Sequence, residues 1–472
     1  MDRKTIYKAV GWLNPAALAP GERAVANFDE DSITMAVAAA CDCLKGSDRD
    51  RVDFLCFASC TAPYLERLSS EIIATAVDLP PSLRTADLAG TPKAGVTAVL
   101  AALDAVSAGT ASAALVCAAD TRQAKAGSPQ EAMLGDAAAA VQIGREKTVA
   151  ECVGSFSVSF DFPDRWRAAN ESYDHQWEDR FIRDEAYSKF VTQALEGLLA
   201  KCGVEPSQVA KVAYPCLYGA DFMKLARMTG LAPSQVVEPL SAQVGYAGAA
   251  DPLLHLVKAL EQAEPGDRIA VVGFGSGADA VMFQATDRIA EAKSRHRGVA
   301  SHLAARRGHA SYEKMMTWRG LLPVERGIRV EIVPFTAMSG LWRDRQLVLG
   351  LCGSRCKACG QPHYPPQRIC ACPRCGAVDE MEPYRFSDKE AHLFTYTTDN
   401  LAFSLNPPAS YGVLEFTGGG RFWFDITDAD ADELQVGMPV EMSFRKKYVD
   451  EKFGVHGYFW KAVPVPIKAG NP

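Results

Sequence analysis

Four cysteines in two pairs carry the sharpest chemical signal in the sequence. Cys356 and Cys359 are separated by two residues, as are Cys372 and Cys375, with twelve residues between the pairs. Each pair is followed directly by glycine, in KACG and PRCG, and glycine there permits the tight turn that aims two thiolates at one metal. Four thiolates favour a closed, tetrahedral, structural zinc site with no position left for a substrate. Cys352 and Cys370 do not fit the paired spacing and are read as surplus. The alternative reading is four unrelated thiols.

A second stretch, 87–106 (DLAGTPKAGVTAVLAALDAV), has the pattern of a buried helix start. Val96, Val99, Leu100, Leu103 and Val106 recur at steps of three and four, and Ala89, Gly90, Ala94 and Gly95 precede or open the first turn. Such an N-terminus offers free amides and the positive dipole end to an anion or a nucleophile. The plainer reading is a core helix with a small-residue start.

The elements that would position these groups follow from the rest of the chain. Its 472 residues are 48% hydrophobic and 23% charged, with a net charge of −7. That composition suits a soluble globular protein of two or three domains and gives no global basic field for nucleic acid. No apolar run has the length of a signal peptide or a membrane span, and the fourteen cysteines, ten of them scattered, look like reduced thiols rather than a disulfide framework, so the cytoplasm is the expected address. A helix at 31–45, capped by Asp31 or Ser32, ends at Gly46 and leads to a strand at 52–59; a helix at 185–202 ends at Gly203 and leads to a strand at 209–217. The shift is 157 in both comparisons. Val96/Leu253, Val99/Leu256, Leu100/Val257, Leu103/Leu260 and Gly109/Gly266 keep it, as do the strands 113–119 and 270–276. One offset across helix, strand, helix and strand implies two copies of a βαβ-type unit packed as one body.

This duplicated arrangement resembles the thiolase superfamily, and most closely the archaeal type of hydroxymethylglutaryl-CoA synthase, over roughly 4–325. SCTAPY (59–64) is similar to the segment with that family's acidic residue, TPKAGVTA (91–98) to its cysteine turn, and YPCLYGADFMKLARMTGL (214–231) to its histidine segment. QVGYAGAADP (243–252) is similar to its asparagine segment, GFGSGADAVMF (273–283) to its closing strand, and SYEKMMTWRGLLP (311–323) to its tail. The resemblance implies a duplicated αβαβα core and an acyl-CoA thioester substrate. It also implies pairing through a central strand, hence a homo-oligomer or a complex with a second thiolase-like subunit.

The catalytic positions depart from the pattern. The family's cysteine falls on Pro92, its glutamate on Cys60, its histidine on Pro215 and its asparagine on Val244. Proline carries neither a nucleophile nor a titratable proton, so position 92 cannot form an acyl-enzyme. The expected function is therefore aldol-type carbon–carbon cleavage or formation on a β-hydroxyacyl- or β-ketoacyl-CoA without an acyl-enzyme. The alternatives are a non-catalytic acyl-CoA-binding subunit and an ordinary hydroxymethylglutaryl-CoA synthase-like condensing enzyme. Tyr246, between Gly245 and Gly248, is the first choice for proton transfer; Tyr218, Cys60 and Cys216 are further catalytic candidates, with Tyr214 and Asp251 nearby in register. Against these roles stand a tyrosine that only packs and a thiol that is only a small buried hydrophobe.

Beyond the cysteine pairs, 392–398, 411–416, 421–427, 439–446 and 457–463 alternate as five strands, with Gly418–Gly420 at a hairpin turn. Five strands after a rubredoxin-like zinc ribbon suggest a small OB-type barrel. Its basic run Arg445, Lys446, Lys447 beside Phe459 and Trp460 is read as a solvated edge or a contact for CoA phosphates rather than as a nucleic-acid surface. The expected layout is α/β: a thiolase-like domain at 1–330 with halves near 1–165 and 166–330, a linker helix at 331–350, the ribbon at 351–380 and the barrel at 381–472. The basic stretch 294–309, with Arg295, Arg297, Arg306 and Arg307, is expected to form a solvated helical hairpin. No membrane or nucleic-acid partner is expected.

Overall fold

The computed structural model describes residues 1–308, 311–326 and 336–465. They fall into two compact units. The first comprises Met1–Ala26, Asp31–Ala74 and Leu79–Met315; the second comprises Asn27–Glu30, Thr75–Asp78 and the described residues from Met316 onward. The expected domain boundary at residue 330 lies outside the described residues.

The first half of unit 1 runs α1 (Arg3–Val10), α2 (Ser32–Cys43), β1 (Val52–Ala58), α3 (Ser69–Ala76), β2 (Arg84–Leu88), α4 (Ala94–Ser107), β3 (Ala113–Asp120), α5 (Pro129–Met133) and β4 (Ala137–Gly144). The second half runs β5 (Ala150–Ser159), β6 (Arg165–Trp166), β7 (His175–Gln176), α6 (Asp179–Phe181), α7 (Ser188–Cys202), β8 (Lys211–Ala213), α8 (Gly219–Met228), α9 (Asp251–Gln262), β9 (Arg268–Phe274) and β10 (Gly277–Ala285). The sheets have the orders β2-β1-β3-β4 and β5-β10-β9-β8. In each, a parallel pair (β1/β3, β8/β9) is followed by an antiparallel neighbour (β4, β10). The duplication is therefore a repeat of topology as well as of sequence.

Apolar periodicity places the helices. Val96, Val99, Ala102 and Val106 of α4 share one buried cluster with Leu253, Leu256 and Ala259 of α9, and with Phe54, Val116, Val271 and Val281 from both sheets. The two central helices thus lie between the sheets, while α2 packs on β3 and β4, and α7 on β5 and β10. This is the five-layered αβαβα core. Asp31 caps α2 through a capping box with Thr34, and Gly203 closes α7 in the left-handed region at φ 63°. The strand expected at 209–217 is only three residues long. Pro215 has no N–H to give to a ladder, so pairing stops at Ala213.

Close approach of α4 to the residues before α9 depends on Gly95. A Cβ there would lie 2.1 Å from the Ala249 carbonyl oxygen, and backbone cannot yield as a side-chain tip would. Gly95→Ala is expected to cost ~1–3 kcal/mol, read as a lowered midpoint in thermal unfolding; an unchanged midpoint would show that the two central helices separate freely there.

The basic stretch after β10 forms helices Ile289–Arg295 and Gly298–Ala304, with His309 outside the described residues. It is tied down rather than free: His296 Nδ1 lies 2.8 Å from the Asp42 carbonyl, and the Arg297 N–H donates to the Asp42 carboxylate.

In unit 2 the expected linker helix is two short ones, Met338–Arg343 and Arg345–Val348, broken where Asp344 leaves helical geometry. A three-stranded sheet follows, with order β12-β11-β13, from β11 (Cys352–Cys356), β12 (Pro362–His363) and β13 (Met381–Arg385). Then β14 (Ala391–Asp399), β15 (Ala409–Phe416), β16 (Arg421–Ile426), β17 (Pro439–Asp450) and β18 (Val455–Pro464) close a barrel in the order β14-β15-β16-β18-β17. Leu393, Leu414, Phe424, Phe444 and Trp460 fill it. Gly418, Gly419 and Gly420 all have positive φ in the β15–β16 hairpin. Among the described residues no helix is long and apolar enough to cross a membrane, and all fourteen cysteines are free of disulfides.

Candidate active site and cysteine cluster

The ends of β1 and β3 and the start of α9 are drawn together by one buried carboxylate. Asp120, fully buried at the end of β3, accepts from Ser59 Oγ (3.1 Å), the Cys60 N–H (2.7 Å) and Thr61 Oγ1 (2.8 Å) on one oxygen. Its other oxygen accepts the Ala249 N–H at 2.7 Å. Cys60, two residues beyond β1, is thereby fixed by its backbone.

Tyr246 is locked from the backbone. Its N–H donates to the Met133 carbonyl at 2.8 Å and its carbonyl accepts the Gly135 N–H at 3.0 Å. The preceding Gly245 has φ 92°, and a Cβ there would press on Gly135 N and Met133 O at 2.9 Å; only glycine fits. The Tyr246 ring is 5% exposed and lies under the Arg165 guanidinium, 5.0 Å from ring centroid to Cζ. Burial pushes the phenol pKa above its ordinary value, and the cations Arg165 and Arg122 oppose that rise. It is a protonated phenol across the neutral range.

Arg122, 4% exposed, holds Asp174 through Nε at 2.7 Å, and Arg167 Nη1 lies 3.6 Å from the other oxygen of the same carboxylate. Arg167 also donates to the Cys60 carbonyl. The Cys60 thiol is pushed up to about 12 by burial and by Asp120, so it is not a thiolate at neutral pH, which removes the usual basis for a nucleophile. Tyr218 shares the influence of Arg165; burial pushes its phenol up to about 12, and its Oη has no hydrogen-bond partner among the described residues. Cys216 lies beside Asp251, and burial raises its thiol too. Asp251, the first residue of α9 and 3% exposed, places Oδ2 3.4 Å from His255 Nδ1, and that oxygen accepts no hydrogen bond among the described residues.

Pro92 sits just ahead of α4, packed against the β9–β10 turn, where a Cβ on Gly275 would lie 2.9 Å from its Cδ. Pro215 offers only its carbonyl, which accepts from the buried Tyr187 hydroxyl. The arrangement therefore gathers neutral phenols, protonated thiols, the carboxyl groups of Asp120, Asp174 and Asp251, and three arginines. Arg122, Arg165, Arg167 and Asp174 were not among the residues expected from sequence. A usable signal existed in ADTR (119–122), charged residues directly after a fully buried strand, and in FPDRWR (162–167), charges alternating with aromatics.

In unit 2 the sulfurs of Cys356, Cys359, Cys370 and Cys375 all lie within 4.8 Å of one another. Cys370 stands where spacing pointed to Cys372. The bridge between Ile369 and Val378 and the hydrogen bond from the Cys370 N–H to the Ala377 carbonyl turn the Cys370 side chain inward, where it is 4% exposed. Cys372 contributes backbone instead, its N–H donating to Cys370 Sγ at 3.4 Å and its carbonyl accepting the Cys375 N–H at 3.0 Å. Four thiols at this separation are a donor set that could hold a metal ion. The basic run is not a free surface either: Arg445 is 5% and Trp460 1% exposed, and Lys447 pairs with Asp425.

Comparisons with known proteins agree with both units. The family described as the ChsH2 C-terminal OB-fold domain matches residues 384–445. Hydroxymethylglutaryl-CoA synthase of Methanopyrus kandleri is 34% identical over 279 residues, 58% of this chain and 79% of that one. The enzyme of the same name from Pyrococcus horikoshii is 36% identical over 283 residues, 58% of this chain and 80% of that one. Among solved structures, MvaS in complex with 3-hydroxy-3-methylglutaryl coenzyme A superposes with a TM-score of 0.57 at 20% identity, covering 68% of this chain and 88% of that one. 3-Oxoacyl-(acyl carrier protein) synthase III, FabH, from Pseudomonas aeruginosa gives 0.54 at 20% identity, covering 61% and 93%. The structural likenesses show the thiolase-type fold, and the sequence relatives show the branch: the chain belongs to the hydroxymethylglutaryl-CoA synthase family, with an OB-fold domain following its thiolase-like core.

Proposed function

We propose that this chain makes or breaks a carbon–carbon bond of aldol type on an acyl-CoA thioester, without forming an acyl-enzyme at position 92. A CoA ester is supported by the relatives' activity and by the 3-hydroxy-3-methylglutaryl coenzyme A held by MvaS. In the condensing direction a base removes a proton from Cα of the thioester, the enolate attacks a carbonyl carbon, and the resulting alkoxide takes a proton from a donor. In the cleaving direction the β-hydroxyl gives up that proton, the bond breaks to a carbonyl product, and the enolate is protonated at Cα. The observation that carries the reading is Tyr246: a buried, protonated phenol, locked by backbone on both sides beneath Arg165. It suits the donor to the alkoxide, and by microscopic reversibility the group that accepts that proton in cleavage. Asp251, whose Oδ2 faces His255 Nδ1 at 3.4 Å, is the base available for the Cα proton. Arg165 and Arg122 stabilise negative charge, both on the phenol oxygen when it gives up its proton and on an oxyanion developing nearby.

The family's ordinary condensation is the second reading, favoured by relatives at 33–36% identity. It needs a thiolate, and the thiols at hand, Cys60 and Cys216, are both held protonated. The test is incubation of the full chain with β-hydroxyacyl-, β-ketoacyl- and acyl-CoA esters, with products followed by chromatography. Equal amounts of a shortened acyl-CoA and a carbonyl compound, or their union in reverse, are expected. No change in any ester would support a non-catalytic subunit.

The thiols of Cys356, Cys359, Cys370 and Cys375 suit zinc, which bound there would supply a structural cross-link between two turns of unit 2 and leave no open coordination position.

A further inference from the structure

Alternation along β17 and β18 sorts their side chains between the inside and the outside of the barrel. Val440, Met442 and Phe444 of β17 and Tyr458, Trp460 and Ala462 of β18 are buried inside. Arg445 and Lys461 are therefore outward. Arg445 pairs with Phe459, and Ser443 with Lys461, which makes the two cations diagonal neighbours on the outer face. Outward arginine and lysine ordinarily keep their charged heads in water, yet these are 5% and 7% exposed.

Asn27–Glu30, a part of the same compact unit, covers them. Asp29, 1% exposed, accepts from Arg445 Nη1 at 3.3 Å and from Lys461 Nζ at 2.9 Å. Glu30 lies 2.9 Å from Arg445 Nη1. Asn27 Nδ2 donates at 2.6 Å to Asp428, whose other oxygen is 2.5 Å from Arg445 Nη2. Lys461 Nζ stands 4.9 Å from the centroid of the Phe28 ring, a cation–π contact. The Lys446 N–H donates to the Asp29 carbonyl at 2.8 Å, so the segment is also read by backbone. All four residues of the segment engage this surface, Asp29 and Glu30 through the same Arg445 guanidinium nitrogen.

Without these residues, Arg445 would keep Asp428 as its one ion-pair partner among the described residues, and Lys461 would lose its pairing with Asp29. We propose that the outer face of β17 and β18 is a peptide-docking socket for an acidic turn of the form Asn-Phe-Asp-Glu, closed by the Glu30 N–H donating to the Asn27 carbonyl at 3.0 Å and filled here by residues 27–30 of the chain itself. Charge-assisted bonds to Asp29 supply the strength, and the aromatic ring and the backbone contact supply the register. The barrel is thus a recognition surface whose ligand happens to be encoded far upstream in the same chain.

The test uses the full-length chain. Phe28→Ser, Asp29→Ser and Glu30→Ser together strip the socket of the ring and both carboxylates, leaving the weaker hold of Asn27 and the backbone to be displaced, and the probe is a fluorescein-labelled synthetic peptide of residues 25–32. Saturable binding, read by anisotropy, is expected for the vacated chain and not for the wild type. Binding should weaken about tenfold or more when Lys461→Gln is added, and should weaken with salt. A vacated chain that keeps its near-ultraviolet circular dichroism and does not bind the peptide would overturn the proposal. So would equal binding of a peptide carrying asparagine in place of Asp29. If the vacated chain does not fold, a thermal double-mutant cycle of Asp29→Asn and Lys461→Gln in the otherwise wild-type chain decides instead: non-additive midpoints are expected, and additive ones would overturn the socket.

Discussion

Tyr246→Phe is expected to lower turnover of a CoA ester by ~10²–10⁴-fold, the usual contribution of one positioned proton-transfer group, with little change in thermal midpoint. The substitution keeps the ring beneath Arg165, and the backbone bonds to Met133 and Gly135 do not involve the hydroxyl. A fall in rate would therefore report chemistry rather than collapse. The sign of the pH dependence follows from the direction of the shift. Burial raises the Tyr246 phenol above its ordinary value of 10.0, so the donor form persists through the neutral range. Loss of condensation rate through this group should begin only above pH 10. A wild-type rate in the phenylalanine variant would leave Tyr246 as packing and overturn its role in proton transfer.

The second large effect concerns the cysteine cluster. Cys356→Ser and Cys370→Ser are each expected to lose bound metal and to loosen the three-stranded sheet, while Cys372→Ser keeps the metal. Metal content measured by plasma mass spectrometry should be about one zinc per wild-type chain. Loss of a structural zinc removes folding energy outright, because binding to the assembled thiolates and folding are one event. The three variants also separate two readings of the same run of residues. Retention by Cys370→Ser with loss by Cys372→Ser would restore the ligand set that pair spacing suggests.

Much of the architecture was legible because repetition is a property of sequence. The shift of 157 between Gly46 and Gly203 and between Val96 and Leu253 reappears as two sheets of the same parallel-then-antiparallel order. The barrel was legible through strict alternation, and every expected strand overlaps an observed one. What stayed hidden depended on contacts between distant segments. Arg122 and Asp174 meet only in the folded unit, and neither has a local pattern that names the other. Choosing Cys370 over Cys372 depends on the register of Ile369 with Val378, which spacing between thiols cannot express. Arg445 and Lys461 follow the ordinary solvent-facing pattern of a strand, and nothing in that pattern announces that Asn27–Glu30 will cover them. Tyr246 was singled out from its flanking glycines, and the structure supplies their reason: Gly245 must accept a positive φ and backbone contact on both sides.

The central claim is that the scaffold of a condensing-enzyme family is used here without a covalent acyl intermediate, because Pro92, just ahead of α4, occupies the position that the resemblance gives to the family's cysteine. Intact-protein mass spectrometry tests it most directly. The full chain is incubated with acetyl-CoA and with longer acyl-CoA esters, quenched in acid and weighed. An unmodified mass under conditions that give turnover is the predicted result; an acyl increment that peptide mapping places on Cys60 or Cys216 would contradict it.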